Sequence, residues 1–177
     1  GDTVGCGTAL CGALQQIGKL AKLACPDPIP KKFGYMFREI KEQDFDPETI
    51  IAVDVADTKL LYGMKEIGEK TQLCIDHHVS NTEYAERLLL APEYAAAAEL
   101  MFELLSSMKE VKITNSIADS LYTGIATDSG CFKYSNTSPQ THVYAAELMT
   151  LGADIVPINY AMSVSYTHLR AHETSLH

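Results

Sequence analysis

The distribution of apolar and polar residues divides the chain into short apolar runs and longer segments with helical periodicity. After a glycine-rich start at 1–7, apolar residues spaced three and four apart up to Ile17 predict a helix. Residues 19–25 predict a short strand, and the β-branched run 50–55 predicts a buried one. The apolar run Leu73–Asp76 predicts a further buried strand.

Several later segments favour helices. Residues 58–67 predict a helix that stops at Gly68. Residues 92–108 predict a strong helix, because Pro92 suits the first turn and an alanine run follows. Asp154 is a candidate cap for a last helix near the end of the chain.

Two more helices complete the pattern. Residues 113–126 predict a helix capped by Thr114 or Asn115, and residues 138–151 predict one that opens with a serine cap and a proline and stops at Gly152. Repeated alternation of strands and helices is typical of an α/β fold. We therefore predict an open parallel sheet with helices on both faces.

The composition indicates a globular protein. The chain has 177 residues, of which 46% are hydrophobic and 21% are charged, enough for one ordinary domain. No apolar run approaches the roughly 20 residues that span a bilayer, and the start lacks the basic region of a signal peptide. The five cysteines form no C-x-x-C pair, so we predict reduced thiols, no zinc site and a cytoplasmic location without membrane partners.

The net charge of −9 limits the partners of the protein. An acidic chain does not attract nucleic acid by its overall charge. A phosphate-bearing substrate would therefore need bound divalent cations to reverse the local sign.

The most informative chemistry lies at the end of the strand Leu73–Asp76, where His77 and His78 follow directly. Adjacent residues of an extended strand point to opposite faces, so both imidazoles can serve one site only where the strand ends and the backbone turns. The polar residues Ser80 and Asn81 support such a turn.

Three separated acids accompany this strand end. Asp2 lies in the opening glycine turn, Asp54 ends the run 50–53, and Asp128 precedes the turn at Gly130. The carboxyl ends of parallel strands share one edge of a sheet, so these side chains can converge. Carboxylates with an imidazole suit Mn²⁺ or Mg²⁺, and two such cations favour phosphoryl transfer to water.

Each of these residues also has a structural interpretation. Asp54 could cap the following helix, although Asp57 suits that role better, and Asp128 could be an ordinary turn residue. Asp2 could cap the first helix. His142, within a predicted helix, is most simply a surface or packed residue.

Four motifs resemble the DHH family of phosphoesterases. The Asp-His-His sequence at 76–78 resembles the motif that names the family. Residues 1–6 resemble the end of its first motif, residues 51–54 its second and residues 123–132 its fourth. They occur in family order over nearly all of 1–162, which we therefore assign to a DHH catalytic domain with a Rossmann-like parallel sheet.

Residues 76–81 and 132–139 most resemble the branch that contains the bacterial nano-RNases, which also act as phosphatases on phosphoadenosine phosphate. The resemblance implies hydrolysis of short oligoribonucleotides or of the 3′-phosphate of that nucleotide. It also implies two Mn²⁺ ions, with Mg²⁺ or Co²⁺ as alternatives, and a possible homodimer. The family alternatives are an inorganic pyrophosphatase, a cyclic-dinucleotide phosphodiesterase or a single-strand exonuclease, and a non-catalytic nucleotide-binding module is the alternative of a different class.

The resemblance also implies roles for the metal ligands. Asp54 and Asp128 would bridge the two ions, and His77 and Asp2 would hold one of them.

Two further residues receive catalytic roles from the resemblance. His78 would contact the scissile phosphate, and Asp76 would orient the imidazoles without binding the metal itself.

The chain departs from the family pattern at both ends. The first-motif histidine and aspartate, expected before Gly1, are absent, so we expect a truncated catalytic domain without its first strand and with one metal site incomplete. The C-terminal substrate-binding domain is also absent, and the composition of 163–177 suggests a non-native tail. His168 and His172 in that tail are spaced to share a helix face. We expect this polypeptide to have little hydrolase activity.

Overall fold

The computed structural model describes residues 1–162, in which helices surround a small parallel sheet. Two 3₁₀ segments, Lys31–Phe37 and Thr58–Leu61, lie in the connections. The regular elements are α1 (Asp2–Gln16), β1 (Ile51–Val53), α2 (Lys65–Gly68), β2 (Leu73–Asp76), β3 (Arg87–Leu90), α3 (Ala97–Ser107), α4 (Asn115–Asp128), α5 (Pro139–Thr150) and α6 (residues 155–162).

The strands pair in the order β1-β2-β3, and both pairs are parallel. Val53 and Ile75 face the main core, which α1, α3, α4 and α5 complete. Ala52 and Cys74 point to the other face, where Leu61 of a 3₁₀ segment packs on them. The predicted α/β fold with a covered parallel sheet is therefore confirmed.

Helices α1 and α4 pack closely because glycines face the contact. A β-carbon on Gly5 would lie 2.4 Å from the carbonyl oxygen of Ser120. One on Gly124 would lie 2.5 Å from Oδ1 of Asp2 and 2.6 Å from the β-carbon of Ala98. Such distances exclude any larger residue without movement of the backbone, so these glycines bring α1, α3 and α4 together around Asp2.

Two predicted elements differ in the structure. Residues 19–25 form no strand, because the backbone of Ala21 bonds to the side chains of Gln15 and Gln43 instead of a neighbouring strand. The predicted helix 58–67 is broken into a 3₁₀ segment and the short α2 by Gly63, whose φ of +77° ends the first turn.

The start of α3 and the strand β3 were also not as the sequence indicated. Helix α3 begins at Ala97, five residues after Pro92. Strand β3 was not predicted, because its sequence Arg-Leu-Leu-Leu carries no β-branched residue and leucine also favours helices.

The caps of α4 and α5 agree with the sequence, whereas α1 already begins at Asp2, inside the glycine-rich segment that the sequence indicated as a turn. Thr114 caps α4, Ser138 caps α5 in a capping box with Thr141, and Gly152 follows α5 with a φ of +103°. The helix expected after Asp154 is present at 155–162.

The predicted thiols are free, as expected, at Cys6, Cys11, Cys25, Cys74 and Cys131. Within residues 1–162, no helix has the length and apolar content needed to cross a membrane. The suspected non-native tail 163–177, with His168 and His172, lies outside the described residues.

Candidate metal centre

Asp54 lies immediately after β1 and turns its carboxylate towards the helices. Its φ is +56°, a left-handed conformation that aspartate tolerates better than most residues. Its Oδ2 accepts a hydrogen bond of 2.6 Å from the hydroxyl of Thr3, whereas its buried Oδ1 has no hydrogen-bond partner among the described residues. The capping role belongs instead to Asp57, which accepts the N–H of Lys59 at 2.9 Å.

Asp76 ends β2 and is fully buried. Its Oδ1 accepts the backbone N–H groups of His77 at 2.8 Å and His78 at 3.3 Å, and its Oδ2 accepts the amide of Asn81 at 2.6 Å. Burial acts to raise the pKa of Asp76, but these hydrogen bonds outweigh it and lower the pKa. Asp76 is therefore ionised, and its hydrogen bonds hold the two histidines in place.

The two histidines lie side by side just beyond the end of β2, with ring centroids 4.5 Å apart. Nδ1 of His77 lies 3.1 Å from the carbonyl oxygen of Tyr94, and only an N–H can complete this bond. Nε2 of His77 therefore carries the lone pair of the neutral ring. Nδ1 of His78 lies 2.7 Å from Oδ1 of Asp76, and the side chain of His78 is 42% accessible.

Asp2 is the first residue of α1 and is almost completely buried. It does not cap its own helix. Its Oδ2 accepts the backbone N–H of Ala97 at 2.6 Å, and its Oδ1 accepts that of Ala98 at 3.0 Å. The thiol of Cys6 lies 3.3 Å from Oδ1. The carboxylate thus caps α3 from a distant part of the chain.

Asp128 is the last residue of α4, whereas the sequence indicated a position after this helix and just before the turn at Gly130. The helix continues beyond the predicted end at Ala126, and Gly130 turns the chain with a φ of +57°. The Asp128 carboxylate is 31% exposed and therefore lies at the mouth of the cluster.

The imidazole of His77 lies at the centre of these carboxylates. Its Nε2 is 3.5 Å from Oδ2 of Asp128, 3.6 Å from Oδ1 of Asp54 and 4.0 Å from Oδ2 of Asp2. One ligand atom from each of the four residues lies within 4.8 Å of the others. A second set joins His78 to Asp54 and His77. The structure thus brings all four predicted metal ligands into one cluster, with both histidines in it.

The electrostatics show how strongly this cluster attracts positive charge. Burial and the neighbouring carboxylates raise the pKa of Asp2, and burial with the Asp128 charge raises that of Asp54. Burial acts to lower the pKa of His77, but the Asp128 contact, the Tyr94 carbonyl and the other carboxylates raise it to about 9. Burial is the larger cause for Asp2 and Asp54, and the crowding of negative charge around one point contributes to all three shifts.

Two buried atoms without hydrogen-bond partners indicate whether a cation fits the cluster. Oδ1 of Asp54 and Nε2 of His77 are both buried without a hydrogen-bond partner among the described residues, and they face each other. Buried polar atoms are normally satisfied, so such a pair needs an explanation. When the His77 ring is neutral, which is the form that binds a metal, both atoms present lone pairs, and a divalent cation that prefers oxygen and imidazole ligands, such as Mn²⁺ or Mg²⁺, would satisfy both.

Apart from Asp76, sequence reasoning did not identify the residues that hold the site in place. Thr3 fixes Asp54, Asn81 fixes Asp76, and the Tyr94 carbonyl sets the tautomer of His77. Thr3 and Asn81 lie beside recognisable motif residues, which was the only available signal. A backbone carbonyl has no signal in the sequence.

The chain is similar in sequence to several known proteins. A family model described as the N-terminal domain of the DHH family matches residues 1–125. The chain is 31% identical over 165 residues to the bifunctional oligoribonuclease and PAP phosphatase NrnA of Thermus thermophilus, and 27% identical over 153 residues to the protein of the same name from Bacillus subtilis. These alignments cover 89% and 85% of this chain but 49% and 46% of the relatives, so the chain spans about half their length.

A solved structure supports the fold independently. The crystal structure of an exopolyphosphatase-related protein from Bacteroides fragilis superposes with a TM-score of 0.79 at 22% sequence identity. The match covers 91% of this chain and 52% of that protein. At this identity the likeness shows the fold.

Proposed function

The chain belongs to the DHH family, and on that premise we propose that it forms the metal-binding part of a phosphohydrolase. The observation that carries the proposal is the buried pair of unpartnered atoms, Oδ1 of Asp54 and Nε2 of His77, inside a ring of carboxylates. A purely structural cluster would pair these atoms with donors, since unpaired buried polar groups are costly.

Four side chains of this chain would hold a divalent ion, with Mn²⁺ as the proposed metal: Asp2, Asp54, His77 and Asp128. Asp54 and His77 take part in both ligand sets, so both side chains would help to hold an ion at either set. When bound, the ions supply positive charge for the phosphate oxygens and lower the pKa of water. Asp2, held by two backbone N–H groups, contributes a fixed carboxylate rather than a mobile one.

His78 is the proposed contact to the scissile phosphate, and Asp76 is the residue that orients it. The Nδ1–H of His78 donates to Oδ1 of Asp76, so the ring is held with Nε2 away from this carboxylate. Asp76 is kept ionised by the amide of Asn81 and the backbone N–H groups. A fixed imidazole beside the carboxylate cluster can donate to, or exchange a proton with, a phosphate oxygen.

We propose short oligoribonucleotides and phosphoadenosine phosphate as the substrates of the whole protein. The support is the similarity to two relatives whose names state both activities. The acidic chain, with a net charge of −9, gives no bulk attraction for long nucleic acids, which is consistent with small substrates. A pyrophosphatase, a cyclic-dinucleotide phosphodiesterase and a single-strand exonuclease remain alternatives within the family.

The proposal is tested with the whole protein that carries this chain. In Mn²⁺, release of mononucleotides from a dinucleotide and of phosphate from phosphoadenosine phosphate should be lost on Asp128→Asn, which removes a ligand charge. The control Asp46→Asn changes an exposed acid outside the cluster and should retain both activities. A nucleotide-binding module would instead bind these ligands without hydrolysing them, and preferential cleavage of pyrophosphate or a cyclic dinucleotide would overturn the substrate assignment.

A further inference from the structure

The loop after α4 sends one side chain back towards the metal cluster. The amide nitrogen of Asn136 donates to the carbonyl oxygen of Ala95 at 3.2 Å and to that of Asp128 at 3.1 Å. One NH₂ group thus joins the end of α4 to the segment that leads into α3.

That segment already holds two other residues of the cluster. The carbonyl of Tyr94 accepts from His77, and the N–H groups of Ala97 and Ala98 donate to Asp2. Asp2 and His77 are therefore both hydrogen-bonded to the backbone of residues 94–98. Asn136 links the backbone of Asp128 to the same five residues.

The backbone between Asp128 and Asn136 takes an unusual path. Gly130, Cys131 and Phe132 have consecutive φ values of +57°, +54° and +64°. Left-handed conformations are unfavourable for non-glycine residues and persist only where surrounding contacts enforce them. Here the Ser129 hydroxyl accepts the N–H of Phe132 at 3.1 Å, and the Phe132 ring stacks on His142 with centroids 5.2 Å apart. The loop is therefore a defined structure that returns Asn136 to the cluster.

We propose that Asn136 is a positioning residue that sets the place of the Asp128 carboxylate relative to Asp2 and His77, and thereby the affinity of the cluster for a divalent ion. The inference rests on the proposed metal site. The physical reason is that Asp128 is the most exposed of the four candidate ligands, at 31%, and ends its helix, where the backbone frays most readily.

The test compares three variants of the chain in Mn²⁺ binding, followed by electron paramagnetic resonance of the free ion. Asn136→Ala removes both hydrogen bonds without adding charge, and Asn136→Asp keeps the shape but replaces the donor by an oxygen that faces two carbonyls. The matched control is Thr137→Val, which removes a neighbouring buried hydroxyl that has no partner among the described residues.

We expect the Kd for Mn²⁺ to rise about 10- to 100-fold in both Asn136 variants, the range typical for loss of a residue that supports a metal ligand. The visible absorption of bound Co²⁺, which reports ligand geometry, should change in Asn136→Ala and stay unchanged in Thr137→Val. A loss of stability alone would leave the spectrum of the folded, loaded protein as it was. Wild-type affinity and a wild-type Co²⁺ spectrum in Asn136→Ala would overturn the inference.

A second measurement separates this inference from the proposed function. If the unaltered chain binds neither Mn²⁺ nor Co²⁺, the metal proposal fails, and amide hydrogen exchange in metal-free protein decides the role of Asn136. The N–H groups of Ser129 and Gly130 bond to Ile125 and Thr127 at 3.0 and 3.2 Å. In Asn136→Ala they should exchange roughly fivefold faster or more, as expected when about 1 kcal/mol of hydrogen bonding is lost. Unchanged exchange would refute the anchoring itself.

Discussion

Oδ2 of Asp2 lies 2.6 Å from the backbone nitrogen of Ala97, which is 95 residues further along the chain. With the N–H of Ala98 bound to Oδ1, this carboxylate caps α3, whose own cap residue, Ala96, has no side chain that could do so. One buried acid thus supports the fold and belongs to the candidate metal cluster. Its two roles can be separated by substitution.

Asp2→Ala should destabilise the metal-free protein relative to Asp2→Asn. Asparagine keeps an acceptor for one of the two N–H groups, whereas alanine leaves both unsatisfied, and loss of a helix cap costs about 0.5–2 kcal/mol. Both variants should lose Mn²⁺ affinity, because both remove the charge. Urea unfolding in the presence of a chelator measures the difference in the free energy of unfolding.

Equal stability of the two Asp2 variants would contradict the capping role. Asp128→Asn is a suitable comparison, because it removes a charge from the same cluster without touching the α3 cap. The metal-free stability of Asp128→Asn should therefore exceed that of Asp2→Ala.

The same contact explains why the sequence misplaced the start of α3. Pro92 and the alanines after it satisfy local rules for a helix start, but the cap of α3 comes from Asp2 in another helix. Local propensity contains no information about such a partner. The strand expected at 19–25 failed for a similar reason, because Gln15 and Gln43 satisfy the Ala21 backbone in place of a neighbouring strand.

The candidate ligands were more accessible to prediction than their supports. Asp54 and His77 follow apolar runs that form strands, and the ends of parallel strands meet at one edge. Their chemistry and position therefore point to one site. Thr3 and Asn136 are single polar residues in a helix and a loop, and their contacts with Asp54 and with the Asp128 backbone exist only after the chain has folded.

Divalent metal should stabilise the protein through Asp54. An ion that binds only the folded state adds about 2.7 kcal/mol at a concentration of 100 Kd. We therefore expect Mn²⁺ to raise the Tm of the unaltered chain, and Asp54→Asn to abolish most of this increase because it neutralises a ligand present in both possible ligand sets. Differential scanning calorimetry with and without Mn²⁺ measures the effect, with Asp46→Asn as the exposed control. An undiminished Mn²⁺-dependent shift in Asp54→Asn would argue against this ligand.

Metal binding near pH 7.5 should release protons. The pKa of His77 in the metal-free protein is about 9, so its imidazole is protonated at this pH, whereas a ligand must be neutral. Because this pKa is raised above the ordinary value of 6.5, the stability that the charged ring contributes is fully present below pH 6.5 and is lost as the pH rises through about 9.

Calorimetric titrations of Mn²⁺ in buffers of different ionisation enthalpy count these protons. We expect about one proton per ion from His77 at pH 7.5 and fewer above pH 9. Asp46→Asn, which changes an exposed acid outside the cluster, should give the same count. A binding enthalpy that does not depend on the buffer would show that His77 is already neutral.

Ionisation of the buried Glu99 side chain should destabilise the folded protein as the pH rises. Its carboxylate lies fully buried in the first turn of α3, and neither oxygen has a hydrogen-bond partner among the described residues. Burial raises its pKa, and the nearby Thr141 hydroxyl and Ala95 backbone offset this only in part. The folded protein therefore holds the Glu99 proton more tightly than the unfolded chain does. The stability that this protonated carboxyl contributes is fully present below pH 4.5 and declines as the pH rises towards the elevated pKa.

Glu99→Gln keeps the shape of the side chain and removes the titration. Relative to the unaltered protein, its free energy of unfolding should improve with rising pH, by about 1–3 kcal/mol once Glu99 is ionised, the usual cost of an unsatisfied buried polar group. Urea unfolding of metal-free protein at pH 5 and pH 8 measures this difference. Glu110→Gln, an exposed change close to the end of the same helix, should follow the unaltered protein at both values. If Glu99→Gln also follows it, the Glu99 carboxylate must find a hydrogen-bonding partner in solution, because a buried and unpaired charge would otherwise separate the two pH dependences.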